Sequence, residues 1–337
     1  MTKVLVTGGA GYIGSHMCVE LLQAGHDVVV VDNLSNSTDT SLTRVQQITQ
    51  KSLEFVQADL RDADALHDLF AHHDISAVLH FGGLKAVGES VDHPVMYYDN
   101  NVNGTLRLLE AMHKASVKTL VFSSSATVYG VPEEMPITEA FPTAPINPYG
   151  KTKLHIEEML KDLFASDPDW RISLLRYFNP VGAHSCGEIG EDPNGIPNNL
   201  VPYISQVAVG KLPKLRVFGD DYPTPDGTGI RDYIHVNDLV RGHLHALEHL
   251  HDAPKLSIHN LGTGRGYSVF DVLKAFEHAS GKTIPYEVVE RRAGDAAESY
   301  ADAGKAQREL NWCARYDIER MCEDVWRWQS RYPDGYL

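Results

Sequence analysis

A glycine-rich loop between an apolar strand and a helix opens this chain and constrains its fold more than any other feature. Lys3–Thr7 (KVLVT) has the composition of a short buried strand, and Gly8–Gly14 (GGAGYIG) follows it directly. A helical pattern of apolar residues then runs to Gly25, which suits a helix C-cap. Such a loop lets backbone amides approach a pyrophosphate at the helix N-terminus, where the helix dipole favours negative charge. The pattern predicts a dinucleotide-binding unit, although a tight glycine turn without a ligand has the same composition.

The second predicted strand indicates which dinucleotide fits. His26–Val31 leads into Asp32, at about the distance where a carboxylate reaches the adenosine ribose hydroxyls. The following segment, Asn33–Ser37, contains no Arg or Lys that could accept a 2′-phosphate. The predicted cofactor is therefore NAD rather than NADP.

Apolar runs alternate with helical patterns through about residue 180, as in a doubly wound parallel sheet. The further predicted strands are Leu53–Val56, Ala77–Phe81, Thr119–Ser123 and Ile172–Arg176. Residues 180–233 are instead rich in Gly, Pro, Asn and Asp, and later segments mix helices with short strands. We expect a Rossmann-type α/β domain over residues 1–180, to which about 233–260 return. A smaller mixed α/β lobe is expected over 181–337, with the ligand cleft between the two.

Composition excludes several classes of partner. The 337-residue chain has a net charge of −15, which argues against binding nucleic acid or anionic membranes. It shows no signal-peptide pattern and no run long and apolar enough to cross a membrane. The four cysteines form no CxxC pair, as expected for reduced thiols in a cytoplasmic protein.

A histidine-rich stretch at 243–251 suggests a metal site, because His245 and His249 are four residues apart. No third ligand is evident nearby. We therefore expect a solvated helix and no metal.

Tyr149 and Lys153 are the strongest candidates for chemistry. Because they are four residues apart, they share one helix face, and an ammonium can lie beside a phenol. A phenol with a reference pKa of about 10 must fall by roughly three units, or about 4 kcal/mol, to act as a base at neutral pH. A lysine charge about 6 Å away supplies roughly 2 to 3 kcal/mol, and an oxidised nicotinamide ring would add a second charge. We expect Lys153 to lower the pKa of Tyr149, whereas the pair alone is typical of an ordinary helix surface.

Ordered motifs extend these observations along the whole chain. They are, in one-letter code, TGGAGYIGSH at 7–16, LKAVGES at 84–90, YYDNNV at 97–102, SSSATVYG at 123–130, YFNP at 177–180, GIPNNL at 195–200, GIRDYIH at 229–235 and RRAGD at 291–295. With them the chain resembles the UDP-galactose 4-epimerase family of extended short-chain dehydrogenase/reductases over essentially its full length. Phe81–Gly83 departs from the usual Phe-Ala-Gly by one methyl group.

The resemblance implies a role for each matching residue. Tyr149 would be the base, Lys153 would also hold the nicotinamide ribose, and Ser125 would hydrogen-bond both Tyr149 and the sugar 4-hydroxyl. The implied cofactor contacts are Gly8, Gly11, Tyr12, Ile13, Gly14, Asp32, Asn33, Leu34, Asn36, Ser37, Asp59, Leu60, Phe81, Gly82, Gly83, Lys85, Asn100, Ser123, Tyr149, Lys153 and Phe178. The implied substrate contacts are Lys85, Ser125, Tyr149, Asn179, Asn199, Leu200, Arg216, Val217, Phe218, Arg231, Arg292, Asp295 and Ser299.

The reaction implied by the resemblance is reversible C4 epimerisation of UDP-galactose and UDP-glucose through a 4-keto sugar, with tightly bound NAD. Arg231 and Arg292 suit a diphosphate because each guanidinium donates a planar fork of hydrogen bonds. Phe218 is expected to stack on uracil, and Asp295 to accept from a ribose hydroxyl. Family members are usually homodimers, and the candidate surfaces are the stretch 97–112 and the helix after Tyr149.

Two alternative functions use the same fold. A nucleotide-sugar 4,6-dehydratase shares the cofactor and the Tyr/Lys pair, but it typically has Asp-Glu where this chain has Ala126 and Thr127. A non-catalytic NAD-sensing regulator usually lacks the Tyr or the Lys, and this chain keeps both. The sequence therefore favours the epimerase.

Ser299 predicts the range of sugars. The resemblance places this position beside the sugar, where members with Tyr are restricted to UDP-galactose and UDP-glucose and members with a small residue also take N-acetylated sugars. Because Ser299 is small, we expect this chain also to interconvert UDP-N-acetylglucosamine and UDP-N-acetylgalactosamine. The alternative is that Tyr300 closes the pocket instead.

Overall fold

The structure is a computed structural model that describes residues 2–251, 255–292 and 295–336. These residues divide into two compact units. The first takes in the chain up to Gly130, Pro142–Tyr177 and Val240–His259, and the second takes in Val131–Phe141, Phe178–Leu239 and the chain from Asn260 onward. Ala293 and Gly294 of the RRAGD motif lie outside the described residues.

The described strands are β1 (Lys3–Thr7), β2 (Asp27–Asp32), β3 (Glu54–Gln57), β4 (Ala77–His80), β5 (Thr119–Ser125), β6 (Arg171–Tyr177), β7 (Asn179–Val181), β8 (Leu215–Phe218), β9 (Ile230–His235), β10 (Lys255–Leu261), β11 (Gly266–Ser268), β12 (Tyr286–Val289) and β13 (Glu298–Ser299). The described α-helices are α1 (Tyr12–Gln23), α2 (Thr40–Thr49), α3 (Ala63–His72), α4 (Val87–Asp92), α5 (Pro94–Tyr97), α6 (Gly104–Lys114), α7 (Pro148–Ser166), α8 (Leu200–Ala208), α9 (Val236–His249), α10 (Val269–Ser280), α11 (Gly304–Leu310) and α12 (Ile318–Arg331).

A seven-stranded sheet in the order β10-β6-β5-β4-β1-β2-β3 forms the centre of the first unit. Every pair from β6 to β3 is parallel. The strands are almost continuously apolar, with Val28–Val31 entirely buried, because helices cover both faces of such a sheet. The predicted doubly wound fold is confirmed.

The strand order reverses between β1 and β4, so this point is where a doubly wound sheet binds ligands. Thr7 and His80, the last residues of these two strands, are partners in the register. Their carboxyl ends open into the glycine loop and into Phe81–Gly83 respectively. The fold therefore brings two predicted cofactor segments to one edge.

Helix α7 carries Tyr149 in its first turn, and its start is fixed by the sequence. Asn147 caps the helix, since its Oδ1 accepts from the amide of Gly150 at 2.8 Å. Pro148 at the first position has a backbone angle that suits a helix start. Tyr149, Lys153 and Glu157 follow at intervals of four residues and share one face.

The second unit is built around β9, which pairs with β7, β11 and β13. A separate parallel pair joins β8 to β12. Helices α8, α10 and α12 contribute to one apolar core that includes Ile204, Phe276 and Met321. This unit carries most of the predicted substrate contacts.

The predicted strands are present with bounds that differ by one or two residues. Strand β4 ends at His80 rather than Phe81, and β5 continues to Ser125. The candidate dimer stretch 97–112 contains a π-helical segment, Tyr98–Asn103, before α6 begins. No helix in the described part of the chain is long and apolar enough to cross a membrane.

Candidate active site

The glycine loop after β1 forms a cradle in which Gly8 and Gly14 have no room for a side chain. A Cβ on Gly14 would lie 2.2 Å from the carbonyl oxygen of Gly8, and a Cβ on Gly8 would lie 2.8 Å from the amide nitrogen of Gly82. Gly8 also has a positive φ of 67°. Helix α1 begins at Tyr12 after Gly11, which provides no side-chain cap. An uncapped helix N-terminus beside the half-buried backbone of Gly8 and Gly11 suits a pyrophosphate, so the cradle fits a dinucleotide.

Asp32 at the end of β2 is tied to this loop. Its Oδ2 accepts from the amide of Ala10 at 3.1 Å, while its Oδ1 accepts from the amide of Leu34 at 2.9 Å and from Ser37 Oγ at 3.0 Å. Asn33 extends the cluster, since its Nδ2 donates to Asp59 Oδ2 at 3.0 Å. The predicted ribose ligand and its predicted neighbours thus lie together, with Asn36 exposed on the same loop.

Asp59 carries a stable negative charge at this edge. The Arg61 guanidinium beside it holds the pKa of the Asp59 carboxyl well below its usual range. The next residue, Leu60, leaves no space at Gly82, because a Cβ there would lie 2.8 Å from the Leu60 side chain. An alanine at position 82, as in the family motif, fits only if Leu60 shifts. Gly82 is therefore matched to the packing of Leu60 in this chain.

The segment after β4 brings further predicted residues to the cradle. Lys85 Nζ lies 6.0 Å from the centre of the Tyr12 ring. A Cβ on Gly83 would lie 3.9 Å from Lys153 Nζ, so this glycine faces the lysine of α7. Asn100, in the π-helical segment, donates from Nδ2 to Asn101 Oδ1 at 2.9 Å.

Lys153 is buried behind Tyr149 on α7. Its Nζ donates to the carbonyl oxygen of Ser123 at 2.8 Å and lies 6.0 Å from the centre of the Tyr149 ring. The Phe122 ring centre is 4.9 Å away on another side. The predicted ammonium therefore stands beside the predicted phenol, at the separation that the helix spacing indicates.

Ser125, the last residue of β5, hydrogen-bonds the Tyr149 hydroxyl. Its Oγ also accepts from Thr127, at 3.2 Å from the amide and at 2.9 Å from Oγ1. Because the Thr127 amide and hydroxyl both donate to Ser125 Oγ, the Ser125 hydroxyl proton is available to donate to Tyr149. Sequence reasoning treated Thr127 only as a missing acid, and its part in orienting Ser125 was not predicted.

The predicted depression of the Tyr149 pKa is wrong for the protein on its own. Burial raises the pKa of the phenol, and the hydrogen bond with Ser125 opposes that rise only in part. Burial also lowers the pKa of Lys153 to about 8. The expectation counted the attraction of the ammonium but not the desolvation of the phenolate, which is the larger effect here. A further positive charge at this edge is needed before Tyr149 becomes a base near neutral pH.

A buried chain of hydrogen bonds supports the switch point of the sheet. Thr105 Oγ1 donates to the Asn101 carbonyl at 2.6 Å, so His80 Nε2, 2.8 Å away, is the donor to Thr105. His80 Nδ1 then accepts from Thr7 Oγ1 at 2.7 Å, which itself accepts from the amide of Gly82 at 3.1 Å. This chain fixes His80 as the neutral imidazole and joins β1, β4 and α6.

The prediction that the histidine-rich helix is solvated is wrong for His243. His243 is fully buried, its Nε2 lies 2.6 Å from the Tyr177 hydroxyl, and its ring centre lies 4.8 Å from that of Phe81. His245 and His249 are half-buried. Among the described residues no cluster of His, Cys, Asp or Glu could hold a metal.

In the second unit five predicted substrate residues lie together. The Arg292 guanidinium carbon is 3.9 Å from the centre of the Phe218 ring, and that of Arg216 is 5.4 Å away. Arg231 Nη2 lies 3.5 Å from Asp295 Oδ1. The amide of Asp295 donates to the Arg292 carbonyl at 3.3 Å. Three guanidinium groups, one aromatic ring and one carboxylate therefore form a polar cluster suited to a nucleotide.

The other predicted residues of this unit occupy separate positions. Asn199 is an exposed N-cap of α8 whose side chain makes no capping hydrogen bond, and Leu200 begins that helix. Asn179 donates to the Asp232 carbonyl at 2.8 Å. Phe178 is buried, and Val217 points its side chain into the core, so only its backbone remains for a ligand.

Ser299 lies on β13 opposite Arg231 of β9 in the parallel register. Both are half-buried, and register partners in a sheet present their side chains to the same face. Tyr300, the next residue, points to the opposite face, where its ring lies against Gly266.

Known proteins resemble this chain over nearly all of its length. Residues 4–262 match the NAD dependent epimerase/dehydratase family. A UDP-glucose 4-epimerase of Bacillus subtilis (strain 168) is 60% identical over 333 residues, which are 99% of this chain and 98% of that protein. The crystal structure of UDP-glucose 4-epimerase from Bifidobacterium longum with NAD+ and UDP is 54% identical with a TM-score of 0.96, and the match covers 99% of this chain and 100% of that one. The UDP-Glc/GlcNAc 4-epimerase of Campylobacter jejuni is 37% identical with a TM-score of 0.86, covering 98% of this chain and 100% of that one.

Proposed function

The chain belongs to the NAD dependent epimerase/dehydratase family, and we propose that it reversibly inverts C4 of UDP-galactose and UDP-glucose. The observation that carries this proposal is the set of Tyr149, Lys153 and Ser125 beside a glycine cradle that fits a dinucleotide. NAD, which the glycine loop and Asp32 would hold, would supply the acceptor for the C4 hydride and the donor that restores this hydride to the 4-keto sugar.

The protein's own groups move one proton. Tyr149 takes the 4-hydroxyl proton and gives it back after the sugar has turned. Ser125, held by Thr127, orients the phenol and the sugar hydroxyl. Lys153, anchored on the Ser123 carbonyl, adds positive charge behind the ring and holds the nicotinamide ribose. The residues proposed to hold the cofactor are those of the glycine loop, Asp32 and its neighbours, and the segment after β4.

The second unit is proposed to hold the UDP part of the substrate. Arg231 and Arg292 bind the diphosphate, Asp295 accepts from the ribose, and Phe218 stacks on uracil. The guanidinium of Arg292 covers the Phe218 ring at 3.9 Å, so stacking on that face requires it to move away. Strong contacts to UDP with weak contacts to the sugar let the hexose turn without losing its anchor.

The proposed substrates include the N-acetylated sugars. The position of Ser299 opposite Arg231 supports this, because a small residue there leaves room for an acetamido group near the proposed diphosphate site. The orientation of Tyr300 toward Gly266 argues against Tyr300 as the residue that closes the pocket.

We also propose a cytoplasmic homodimer. Val87, Val91, Val95 and Leu106 are 41%, 60%, 80% and 41% exposed on α4, α5 and α6, and a cluster of apolar side chains of this kind is typical of a protein interface. Leu106 lies within the predicted 97–112 stretch, and Val95 lies just before it. Sedimentation that gives a monomer at all micromolar concentrations would contradict the dimer.

Purified protein tests the function directly. We expect about one NAD per chain after extensive dialysis and conversion of UDP-galactose to UDP-glucose without added cofactor. Tyr149→Phe should keep the NAD and lose turnover by orders of magnitude, since only the proton acceptor is lost. The exposed Tyr286→Phe is the matched control and should keep full activity.

The same assay separates the alternatives. A 4-keto-6-deoxy product would indicate a dehydratase, and bound NAD without turnover would indicate a regulator. Near-normal turnover of Tyr149→Phe would assign the proton transfer to another group.

A further inference from the structure

Three consecutive serines at the end of β5 contact three residues on one face of α7. Ser125 hydrogen-bonds Tyr149, and the Ser123 carbonyl accepts from Lys153 at 2.8 Å. Between them, Ser124 Oγ donates to Glu157 Oε1 at 2.5 Å. The first two contacts belong to the proposed proton transfer, whereas the third has no role in it.

Glu157 is fully buried and is held from a second strand. Arg176 of β6 donates from Nε to Oε1 at 2.9 Å and from Nη2 to Oε2 at 2.6 Å, and its side chain is only 3% exposed. Ser124 and Arg176 are partners in the register of β5 and β6. The Arg176 guanidinium carbon also lies 4.8 Å from the centre of the Tyr129 ring. One carboxylate therefore fastens α7 to two adjacent strands at a single point.

A buried ion pair is not needed for stability, because well-packed apolar residues of similar volume are often as stable. A bidentate guanidinium–carboxylate pair fixes the relative orientation of its two partners as well as the distance between them. Glu157 lies one helical turn beyond Lys153 and two beyond Tyr149. A shift of α7 at Glu157 therefore moves both groups relative to the serines that contact them.

We propose that Glu157 is a positioning residue for the epimerisation: its contacts with Arg176 and Ser124 set the place of α7 on β5, and so hold Tyr149 on Ser125 and Lys153 on Ser123. The inference rests on the proposed function. It assigns no contact between Glu157 and substrate. A misplacement of about 1 Å between reacting groups costs on the order of 100-fold in rate, so the effect should appear in kcat.

The test compares three variants in the holoenzyme. Glu157→Gln keeps the size of the side chain but breaks the ion pair, and Glu157→Met with Arg176→Met removes both charges, so no unpaired charge stays buried. Glu158→Gln is the matched control, because this neighbour is exposed and pairs with Lys161 on the surface, at 2.7 Å. For each we would measure kcat and KM for UDP-galactose, bound NAD, thermal unfolding and sedimentation.

We expect Glu157→Gln and the double variant to lower kcat by about 10- to 100-fold, with KM within about twofold because the proposed UDP contacts lie in the second unit. The double variant should unfold near the wild-type temperature and keep its NAD. The control should match wild type. A double variant that is stable and also has wild-type kcat would overturn the proposal, because the Glu157–Arg176 pair would then have no effect on catalysis. If wild-type protein itself did not turn over UDP-galactose, the proposed function would fail instead.

Discussion

At the scale of single residues, the pKa values of Tyr149 and Lys153 decide when the site can work. Burial raises the first above its ordinary value and lowers the second to about 8, so the Lys153 ammonium loses its proton before the Tyr149 phenol does. Burial raises the pKa of Tyr97 and of Tyr177, so both phenols stay neutral. The productive state has Tyr149 ionised and Lys153 protonated. Because Tyr149 has the higher pKa, activity should rise with pH up to about 8, where Lys153 loses its charge, and should then level off.

Lys153→Met removes the ammonium and tests this account. The pKa of Tyr149 should rise further, because burial is then opposed by one charge fewer. We expect the kcat/KM profile to shift to higher pH and to keep rising above pH 8 in place of levelling off, with bound NAD reduced. Measurement of kcat/KM from pH 6 to 10 decides the matter. A profile with the wild-type shape would show that Lys153 does not act electrostatically on Tyr149.

Ser299→Tyr tests the range of sugars. A phenol on the Arg231 face of β13 would occupy the volume proposed for the acetamido group, and overpacking a fitted site costs about 1 to 3 kcal/mol. We expect kcat/KM for UDP-N-acetylgalactosamine to fall by about tenfold to more than 100-fold, with little change for UDP-galactose. The matched change Ser299→Ala should keep both activities. Equal handling of both sugar pairs by the Tyr variant would remove Ser299 as the selective residue.

At the scale of elements, Gly14→Ala tests the cradle between β1 and α1. The new Cβ would meet the Gly8 carbonyl oxygen at 2.2 Å, which is backbone and cannot rotate away. Helix α1 must shift, so we expect loss of bound NAD and destabilisation of about 1 to 3 kcal/mol. Thermal unfolding and the NAD content of the purified protein measure both effects.

Gly88→Ala is the control for that change. Nothing lies within 4 Å of a Cβ at Gly88 in α4. An alanine there should keep NAD and stabilise the helix by roughly 0.5 to 1 kcal/mol. If Gly14→Ala retained its NAD, the cradle would not be the cofactor site.

Local patterns predicted the elements, and tertiary contacts account for what was missed. The strand–loop–helix at Gly8–Gly14 and the Tyr149–Lys153 spacing are visible within a few residues of sequence. The Glu157–Arg176 pair joins residues 19 positions apart across a strand, and periodicity carries no signal for it. His243 was predicted to be solvated because its partner, Tyr177, is 66 residues away. The raised pKa of Tyr149 depends on desolvation, which only the packed fold determines.

At the scale of the whole molecule, His80 should make stability depend on pH. Burial and the nearby charge of Lys153 lower the pKa of His80 from 6.5 to about 3. The unfolded chain therefore binds a proton below about pH 6.5 that the folded protein does not bind until about pH 3. Within this window each unit of acidification removes up to about 1.4 kcal/mol of unfolding free energy.

His80→Gln tests this dependence. It should lower stability at pH 7, because a buried hydrogen-bond chain is disturbed. It should also flatten the slope of unfolding free energy against pH between about 6 and 4. Urea unfolding across that range measures the slope. A variant with the wild-type slope would place the acid sensitivity on other groups.

In the proposed site, the Arg292 guanidinium over Phe218 couples binding of the base to binding of the phosphates. A uracil that takes that face breaks a cation–π contact worth about 0.5 to 1 kcal/mol at an exposed site. A ligand with phosphates gives the displaced cation a new partner, whereas uridine leaves it with water. The binding free energies of uridine and of free diphosphate, added together, should therefore be less favourable than the binding free energy of UDP. Titration calorimetry would detect this non-additivity, and Arg292→Gln should abolish it while leaving the ring free for the base.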